Sequence, residues 1–469
     1  MSPFRLALPI LGALALAPAP GASQAVTPSA RDSSRDRTAK TVGAPRDKLP
    51  RWRALHANEF QTPWTTFRIG GGFLVDLIGY DQSADNRQQV AGIGGEQIDP
   101  EEPADFVARA SDGQTPAIIS LPTVPVSSIS HPGSIPTAGR VRDSRIIFSG
   151  RLATDRRISW QAGFMYDWLK SKWFVRQTGL LVAVPEIYST FWIGRSKQGT
   201  SLNRVMVGYD GWTMERFPMS DAAIPLLADG IRWIGYLPRA NLFWNLGVFD
   251  DYWSEGQTFS YFDNQVAGRF GYVRMESDTA GSLLHIGLGF QNGIPNDATL
   301  HLKSKPEATT APNFVDTGKF PATLAQLLGY EAYYRDGPWL FGSEYYFERA
   351  RSPETGNPVF QGGDIFASWV ITGETRRYVV PGSTFLDVSP AHSVYHGGGG
   401  AVEVLLRLSY TDLTAGTLEG GTFWRITPAA NWYLSDEIRL ELGYGYGVLD
   451  RFGIRGRTQF FQSRIQLQL

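Results

Sequence analysis

Apolar and polar side chains alternate along the last thirteen residues of the chain, 457–469. One parity is apolar and the other polar: Phe461, Ile465, Leu467 and Leu469 against Gln462, Arg464, Gln466 and Gln468. Successive side chains of a strand point to opposite faces, so the pattern predicts a strand with one apolar and one polar face. Such a strand is typical of a membrane barrel, whose strands run about ten residues, apolar toward lipid and polar toward the lumen.

The same alternation recurs from residue 65 onward in segments of about eight to sixteen residues, separated by Gly, Pro, Asp, Asn and Ser. It predicts sixteen strands, at about 65–80, 143–154, 156–167, 172–184, 187–196, 228–237, 239–250, 264–274, 281–291, 326–335, 338–349, 360–373, 399–411, 421–434, 437–448 and 457–469. The predicted fold class is all-β, a transmembrane antiparallel β-barrel of about 16 strands.

The links between these segments differ in length in a regular way. Short links at 154–156, 237–239, 335–338 and 434–436 fall on one side of the predicted barrel, and long links at 81–142, 197–227 and 292–325 fall on the other. Outer-membrane barrels have short periplasmic turns and longer outer loops. The connection 373–398 is the exception, because it is long and yet periplasmic by this count.

The N-terminus predicts export. Arg5 precedes an apolar run, and small residues end at Ser23-Gln24-Ala25, so residues 1–25 are predicted to be a signal peptide. Residues 26–64, rich in Arg, Asp, Ser and Thr in their first half, are predicted to be a disordered periplasmic N-terminal tail, and residues 65–469 the barrel. Residues 197–227 carry many apolar side chains, so this loop is expected to fold inward.

Composition narrows the function classes. Aromatic residues make up 13% of the chain, as expected for aromatic belts at two membrane interfaces, and Cys is absent. No catalytic motif, nucleotide fingerprint or metal-ligand spacing is present, so neither an enzyme nor a cofactor is predicted. The net charge of −1 and the lack of a concentrated basic surface give no reason to expect nucleic-acid binding.

Several motifs resemble the phosphate-selective porins of the O/P family. They are Ile371-Thr372-Gly373-Glu374-Thr375-Arg376-Arg377-Tyr378, Gly400-Ala401-Val402-Glu403-Val404 with Arg407, Ser409-Tyr410 and Asp412-Leu413, Met214-Glu215-Arg216, Asn431-Trp432-Tyr433-Leu434, and the final strand. The resemblance implies an outer-membrane porin of a Gram-negative bacterium, usually a homotrimer, with inward-folded loops and a long inward periplasmic segment before strand 13. The resemblance also implies that the barrel-assembly machinery recognises the C-terminal strand of this chain.

The chain departs from the family pattern in two places. The segment Gly194-Arg195-Ser196-Lys197-Gln198-Gly199 keeps the family's glycine and basic residue but lacks its proline, and the chain ends in Leu469 where the family has Phe. Only 8 of the 44 basic residues are Lys, so the family's lysine cluster has no obvious counterpart.

Candidate pore residues follow from strand parity. Eight arginines fall on the lumen parity, and Arg195 and Lys197 join them at the start of the third outer loop. A charge facing lipid at mid-membrane costs about 2 to 4 kcal/mol, and a ring of Arg in a water-filled channel attracts anions. The predicted anion-binding residues are Arg68, Arg145, Arg151, Arg195, Lys197, Arg232, Arg269, Arg407, Arg439 and Arg464, with small anions such as phosphate or polyphosphate as the expected solutes.

Four alternatives stay open at this level. The arginines could brace the wall by pairing with Asp76, Glu344, Glu403 and Glu441. The pore could be a general diffusion channel without anion preference. The barrel could be plugged and serve a structural or adhesive role through residues 81–142, or it could be a barrel enzyme with a Ser or Asp and a His at its rim.

Overall fold

The computed structural model describes residues 53–56, 59–96, 133–168, 171–250, 260–277 and 280–469. The predicted signal peptide and most of the predicted tail lie outside the described residues. Sixteen long antiparallel strands form a closed sheet, since the last strand pairs with the first from Gly72↔Gln468 to Gln82↔Thr458. The predicted sixteen-strand β-barrel is therefore confirmed.

We number the barrel strands β1 to β16 along the chain. Their bounds are Thr66–Gln82, Ala138–Arg151, Ile158–Asp167, Lys172–Val184, Ser189–Ser196, Ala228–Leu237, Leu242–Asp250, Phe262–Met275, Ser282–Pro295, Ala325–Asp336, Trp339–Ala350, Val359–Val370, Ala401–Ala415, Leu418–Tyr433, Ile438–Arg451 and Ile454–Gln468. Each overlaps one predicted segment. Two further short strands precede β1, and the second of them, Glu59–Gln61, pairs with the start of β1, so ordered backbone lies within the segment predicted to be a disordered tail.

The connections contain the remaining elements. There are three α-helices among the described residues, α1 at Ala84–Glu96, α2 at Leu202–Val205 and α3 at Pro218–Ala223, and none has the length and apolar character to cross a bilayer. Short strand pairs lie at Thr299–Leu300 with Phe320–Pro321, Lys303–Ser304 with Val315–Asp316, and Tyr378–Val379 with Thr384–Phe385. Single turns of 3-10 helix lie at Pro185–Ile187, Gly208–Asp210, Asn296–Ala298, Pro353–Thr355 and Val394–His396.

Strand alternation sets the two faces of the wall. Outward side chains are apolar and exposed, such as Leu328 and Leu442 at about 60% exposure. Trp339 and Trp369 stack on the outer surface with ring centroids 5.0 Å apart, next to the periplasmic turn between β10 and β11. Inward side chains include charged residues such as Glu331 and Arg407, and these are buried. Water does not solvate them, so they depend on partners from the connections.

Among the described residues, three connections fold into the barrel. They are the inner loop, residues 197–227 between β5 and β6; the outer connection, residues 296–324 between β9 and β10; and the periplasmic segment, residues 371–400 between β12 and β13. Each places fully buried apolar side chains inside, including Phe217, Phe314 and Phe385. The interior is therefore packed like the core of a water-soluble protein over much of its cross-section.

Candidate functional site: a basic constriction beside strands β2 to β4

The inner loop is held against the wall at the start of α2. The backbone N–H of Leu202 donates to Glu331 Oε2 at 2.6 Å, and that of Asn203 donates to Glu344 Oε1 at 2.7 Å. The hydroxyl of Ser201 donates to Glu344 at 2.7 Å. Carboxylates suit the free N–H groups of a first helical turn, so two acidic residues of β10 and β11 anchor the loop.

Gly194 prepares the entry to this loop. Its φ is +131°, and a Cβ there would lie 2.4 Å from the carbonyl oxygen of Thr178 on β4, so only glycine fits. The next residue, Arg195, is buried and donates to Asp229 at 2.8 and 3.1 Å. This is the glycine that the family-like segment at residues 194–199 retains.

The other two inward segments form ion pairs with the wall, and the periplasmic segment also contacts the inner loop. Arg407 on β13 donates to Glu307 of the outer connection, and Arg376 of the periplasmic segment donates to Glu403 on β13 at 2.7 Å. The ring of Phe385 lies edge-on to Trp212 of the inner loop at 6.4 Å. Together with the inner loop, these segments bury the inward faces of β9 to β15.

Partly exposed inward side chains remain along β2 and β3, including Ile147, Ser149, Gln161 and Met165. A cavity of about 110 Å³ lies between this wall and the inner loop. We call it the constriction cavity. Its charged lining residues are Arg142, Arg145, Arg176, Lys197, Arg216 and Arg464 against Asp143 and Glu215. Six basic side chains therefore face two acidic ones.

The two basic side chains that the inner loop supplies are both held by backbone oxygens. Lys197 Nζ donates to the carbonyl of Met206 at 2.6 Å, and Arg216 donates to the carbonyls of Asn203 and Met206, each at 2.9 Å. Burial, followed by the charge of Arg216, lowers the pKa of Lys197 well below its ordinary value. Burial and the charge of Arg204 lower the pKa of Arg216 to about 10, so Arg216 remains a cation at neutral pH.

The pair Arg142 and Glu215 closes the outer end of this cavity. Arg142 Nε and Nη2 donate to the two carboxylate oxygens of Glu215 at 2.8 and 3.0 Å, in the bidentate geometry that guanidinium groups form with oxyanions. Arg464 also donates to Glu215 at 2.6 Å. Arg142 and Glu215 also contribute to the lining of a second cavity, of about 220 Å³, on the outer side.

The structure brings three of the ten predicted pore residues to the constriction cavity: Arg145, Lys197 and Arg464. Five others are buried against partners elsewhere: Arg195 on Asp229, Arg232 on Asn245, Arg269 on Glu331, Arg407 on Glu307 and Arg439 on Glu441. Arg68 and Arg151 are exposed near the periplasmic end, where Arg68 lies 3.7 Å from Glu59. Among the four predicted bracing acids, Asp76, Glu403 and Glu441 pair with arginines, whereas Glu344 holds the inner loop.

Three basic residues of the cavity were missed by strand parity. Arg142 precedes the predicted start of the second strand, although β2 begins at Ala138. A register irregularity between β1 and β2 lies beside it, at Leu74/Val75. Arg176 lies at a similar irregularity between β3 and β4. Arg216 lies in a loop, where alternation gives no signal, but the family-like motif at residues 214–216 contains it.

Comparison with known proteins agrees with this architecture. The family model described as phosphate-selective porin O and P matches residues 235–451, which confirms the resemblance seen in the motifs. The closed barrel and the family match support an outer-membrane porin and place the chain in the outer membrane.

The individual relatives are distant. An uncharacterized protein of Caulobacter vibrioides is 30% identical over 131 residues, which are 28% of this chain and 26% of that protein, so the match spans about a quarter of the relative. The anion-selective porin from Comamonas acidovorans is 11% identical, with 86% of this chain and 100% of that chain covered and a TM-score of 0.46. Salmonella typhi OmpF, in complex with daunomycin, is 10% identical, with 86% of this chain and 98% of that chain covered and a TM-score of 0.49.

Proposed function

We propose that this porin passes small anions by diffusion and favours phosphate or polyphosphate among them. The observation that supports the proposal is the lining of the constriction cavity, where six basic side chains face two acidic ones. Fixed positive charge concentrates anions and repels cations in a narrow channel. Arg does not deprotonate at physiological pH, so the preference holds across that range.

Phosphate fits this lining better than chloride does. Guanidinium groups present a planar fork of donors that matches two oxygens of one oxyanion, and Lys adds a further donor. Several basic groups around one cavity could contact successive phosphoryl groups of a polyphosphate. We also propose the homotrimeric state and the recognition of β16 by the barrel-assembly machinery that the family resemblance implies.

The test is the reversal potential of single channels in a potassium chloride gradient. We expect the wild type to favour chloride over potassium, and phosphate to block the chloride current. Arg145→Ala with Arg216→Ala should shift the reversal potential toward zero. Arg156→Ala is the matched control, because Arg156 pairs with Glu186 at the exposed periplasmic end, outside the cavity. A wild type that prefers potassium contradicts the proposal.

A plugged barrel is the second candidate, and the inward packing of three connections is the observation that favours it. The buried inward faces of β9 to β15 contribute nothing to a water path. Conductance separates the two candidates, because a plugged barrel inserts into a planar bilayer without producing current steps. A conducting channel without ion preference would instead indicate a general diffusion porin.

A further inference from the structure

Glu215 lies at the boundary of two cavities. Both the constriction cavity of about 110 Å³ and the outer cavity of about 220 Å³ are lined by Glu215 and Arg142. An anion that moves between these spaces must pass this pair. Glu215 is also the only acidic residue that the inner loop contributes to the constriction cavity among the residues described.

The two arginines that contact Glu215 are held very differently. Arg464 is buried and is also fixed by Asp76, to which it donates at 2.6 and 2.7 Å. The side chain of Arg142 is 34% exposed, and within the described residues its carboxylate partner is Glu215 alone. If Glu215 leaves, Arg464 keeps a carboxylate, whereas the fork of Arg142 becomes available.

We infer that Glu215 is an internal anion that occupies the guanidinium fork of Arg142 and that a permeating oxyanion must displace it. The carboxylate spans the fork through two oxygens, as one face of a phosphate does. Glu215 then sets the affinity of the constriction for oxyanions. The exchange is non-covalent: one charge-assisted pair breaks as another forms. This inference rests on the proposed function, since it names the specificity residue of the same site.

Glu215 competes with a permeating oxyanion for Arg142 across the whole physiological pH range. Burial alone would raise the pKa of Glu215, but the charges of Arg142 and Arg464 and their hydrogen bonds lower it well below its ordinary value. Glu215 is therefore ionised whenever the channel works. The displaced carboxylate stays tethered nearby and can return to Arg142, which favours release of the permeating anion over its retention.

The test compares Glu215→Gln with Asp221→Asn. Gln keeps the size of the side chain and removes its charge. Asp221 lies in the same loop and lines the outer cavity, but it pairs with Arg204 at 2.6 Å. Both variants therefore remove one negative charge from the inner loop, and only one frees Arg142. The readout is the phosphate concentration that half-blocks the chloride current.

We expect Glu215→Gln to lower the half-blocking concentration at least about tenfold, the scale of one charge-assisted pair. Asp221→Asn should change it less than about twofold, because the guanidinium that it frees is that of Arg204, which also donates to the carbonyls of Ile224 and Pro225 and does not line the constriction cavity. The gain must disappear when Arg142→Gln is added to Glu215→Gln. Equal responses of the two single variants, or a gain that survives loss of Arg142, would overturn the inference.

Two further arms make the result interpretable. If Glu215→Gln does not fold into a barrel, Glu215→Asp replaces it, because the shorter side chain keeps the charge but withdraws from the fork. The same gain is expected, and its absence would count against the inference. A wild type that prefers potassium refutes only the proposed anion preference, since the comparison of Glu215→Gln with Asp221→Asn remains decisive for Glu215.

Discussion

The guanidinium of Arg376, in the periplasmic segment, donates to the carboxylate of Glu403 on β13 at 2.7 Å, and both side chains are almost completely buried. Arg376→Ala leaves Glu403 buried without its charge partner, which costs about 3 to 5 kcal/mol of folding stability. We expect the variant to unfold at a clearly lower temperature than the wild type. The measurement is the conversion of the folded band to the unfolded band on gels of samples heated stepwise. Arg377→Ala is the control, because Arg377 is the exposed neighbour. Equal melting of the two variants would contradict the prediction.

Two buried carboxyl groups on β11 should respond to substitution in opposite directions. Neither oxygen of Glu348 has a hydrogen-bond partner among the described residues, whereas Glu344 accepts bonds from Ser201, Asn203 and Tyr333. Glu348→Met should raise stability by about 1 to 3 kcal/mol, because it removes an unsatisfied buried polar group. Glu344→Met should lower stability by a similar amount. Thermal unfolding followed by circular dichroism in detergent checks both signs, and a loss of stability in Glu348→Met would refute the argument.

A pH dependence follows from Asp210, where the inner loop meets the periplasmic segment. Burial, followed by the charge of Asp387, raises the pKa of Asp210 to about 7 against the opposing charges of Arg376 and Arg439. A raised carboxyl pKa means that the folded contact favours the protonated form. This contribution to stability is complete below the ordinary value of 3.8 and is lost as the pH rises through about 7.

We therefore expect the contact between the inner loop and the periplasmic segment to loosen between pH 5 and pH 8. Single-channel recordings should show more frequent conductance fluctuations at pH 8. The Asn side chain of Asp210→Asn cannot ionise, so the variant should show the low fluctuation frequency of pH 5 at pH 8 as well. A pH effect of the same size in Asp210→Asn would assign the titration to another group.

The outer connection should be released by one substitution. Glu307 is buried, accepts hydrogen bonds from Arg407 and Ser409, and lies 3.8 Å from Arg425. Glu307→Gln weakens these contacts and removes the nearest carboxylate of two buried guanidinium groups, so the connection should move outward. We expect a higher conductance and a reversal potential shifted toward chloride. Glu354→Gln, at an exposed position of another outer loop, should change neither. An unchanged conductance in Glu307→Gln would show that other contacts hold the connection.

Much of the wall could be predicted from sequence, because a strand that separates lipid from a polar interior must alternate along its length. Thr66–Gln82 and Ile454–Gln468 illustrate this, since both were located to within a few residues by alternation alone. The inward position of Arg407 and Arg464 followed from the same parity. The residue that pairs with an inward arginine could not be predicted from parity.

The contacts of those arginines depend on residues far away in the chain. Arg407 meets Glu307 across 100 positions, and Arg142 meets Glu215 across 73. No local period encodes such contacts. Arg142 and Arg176 also lie beside register irregularities, where one extra residue shifts the parity on which the prediction depended. The resemblance to a family, rather than any periodicity, indicated the segment that contains Glu215 and Arg216.

The unequal filling of the barrel divides its inner wall into two kinds of position. Along β9 to β15 an inward substitution meets a packed interior, so it should lower the amount of protein that assembles in the membrane. Along β2 to β4 an inward substitution faces the proposed pore, so it should change which solutes enter the cell at nearly normal protein levels. A genetic screen for altered permeability would therefore recover its informative variants mainly from residues 138–184, together with the inner loop that faces them.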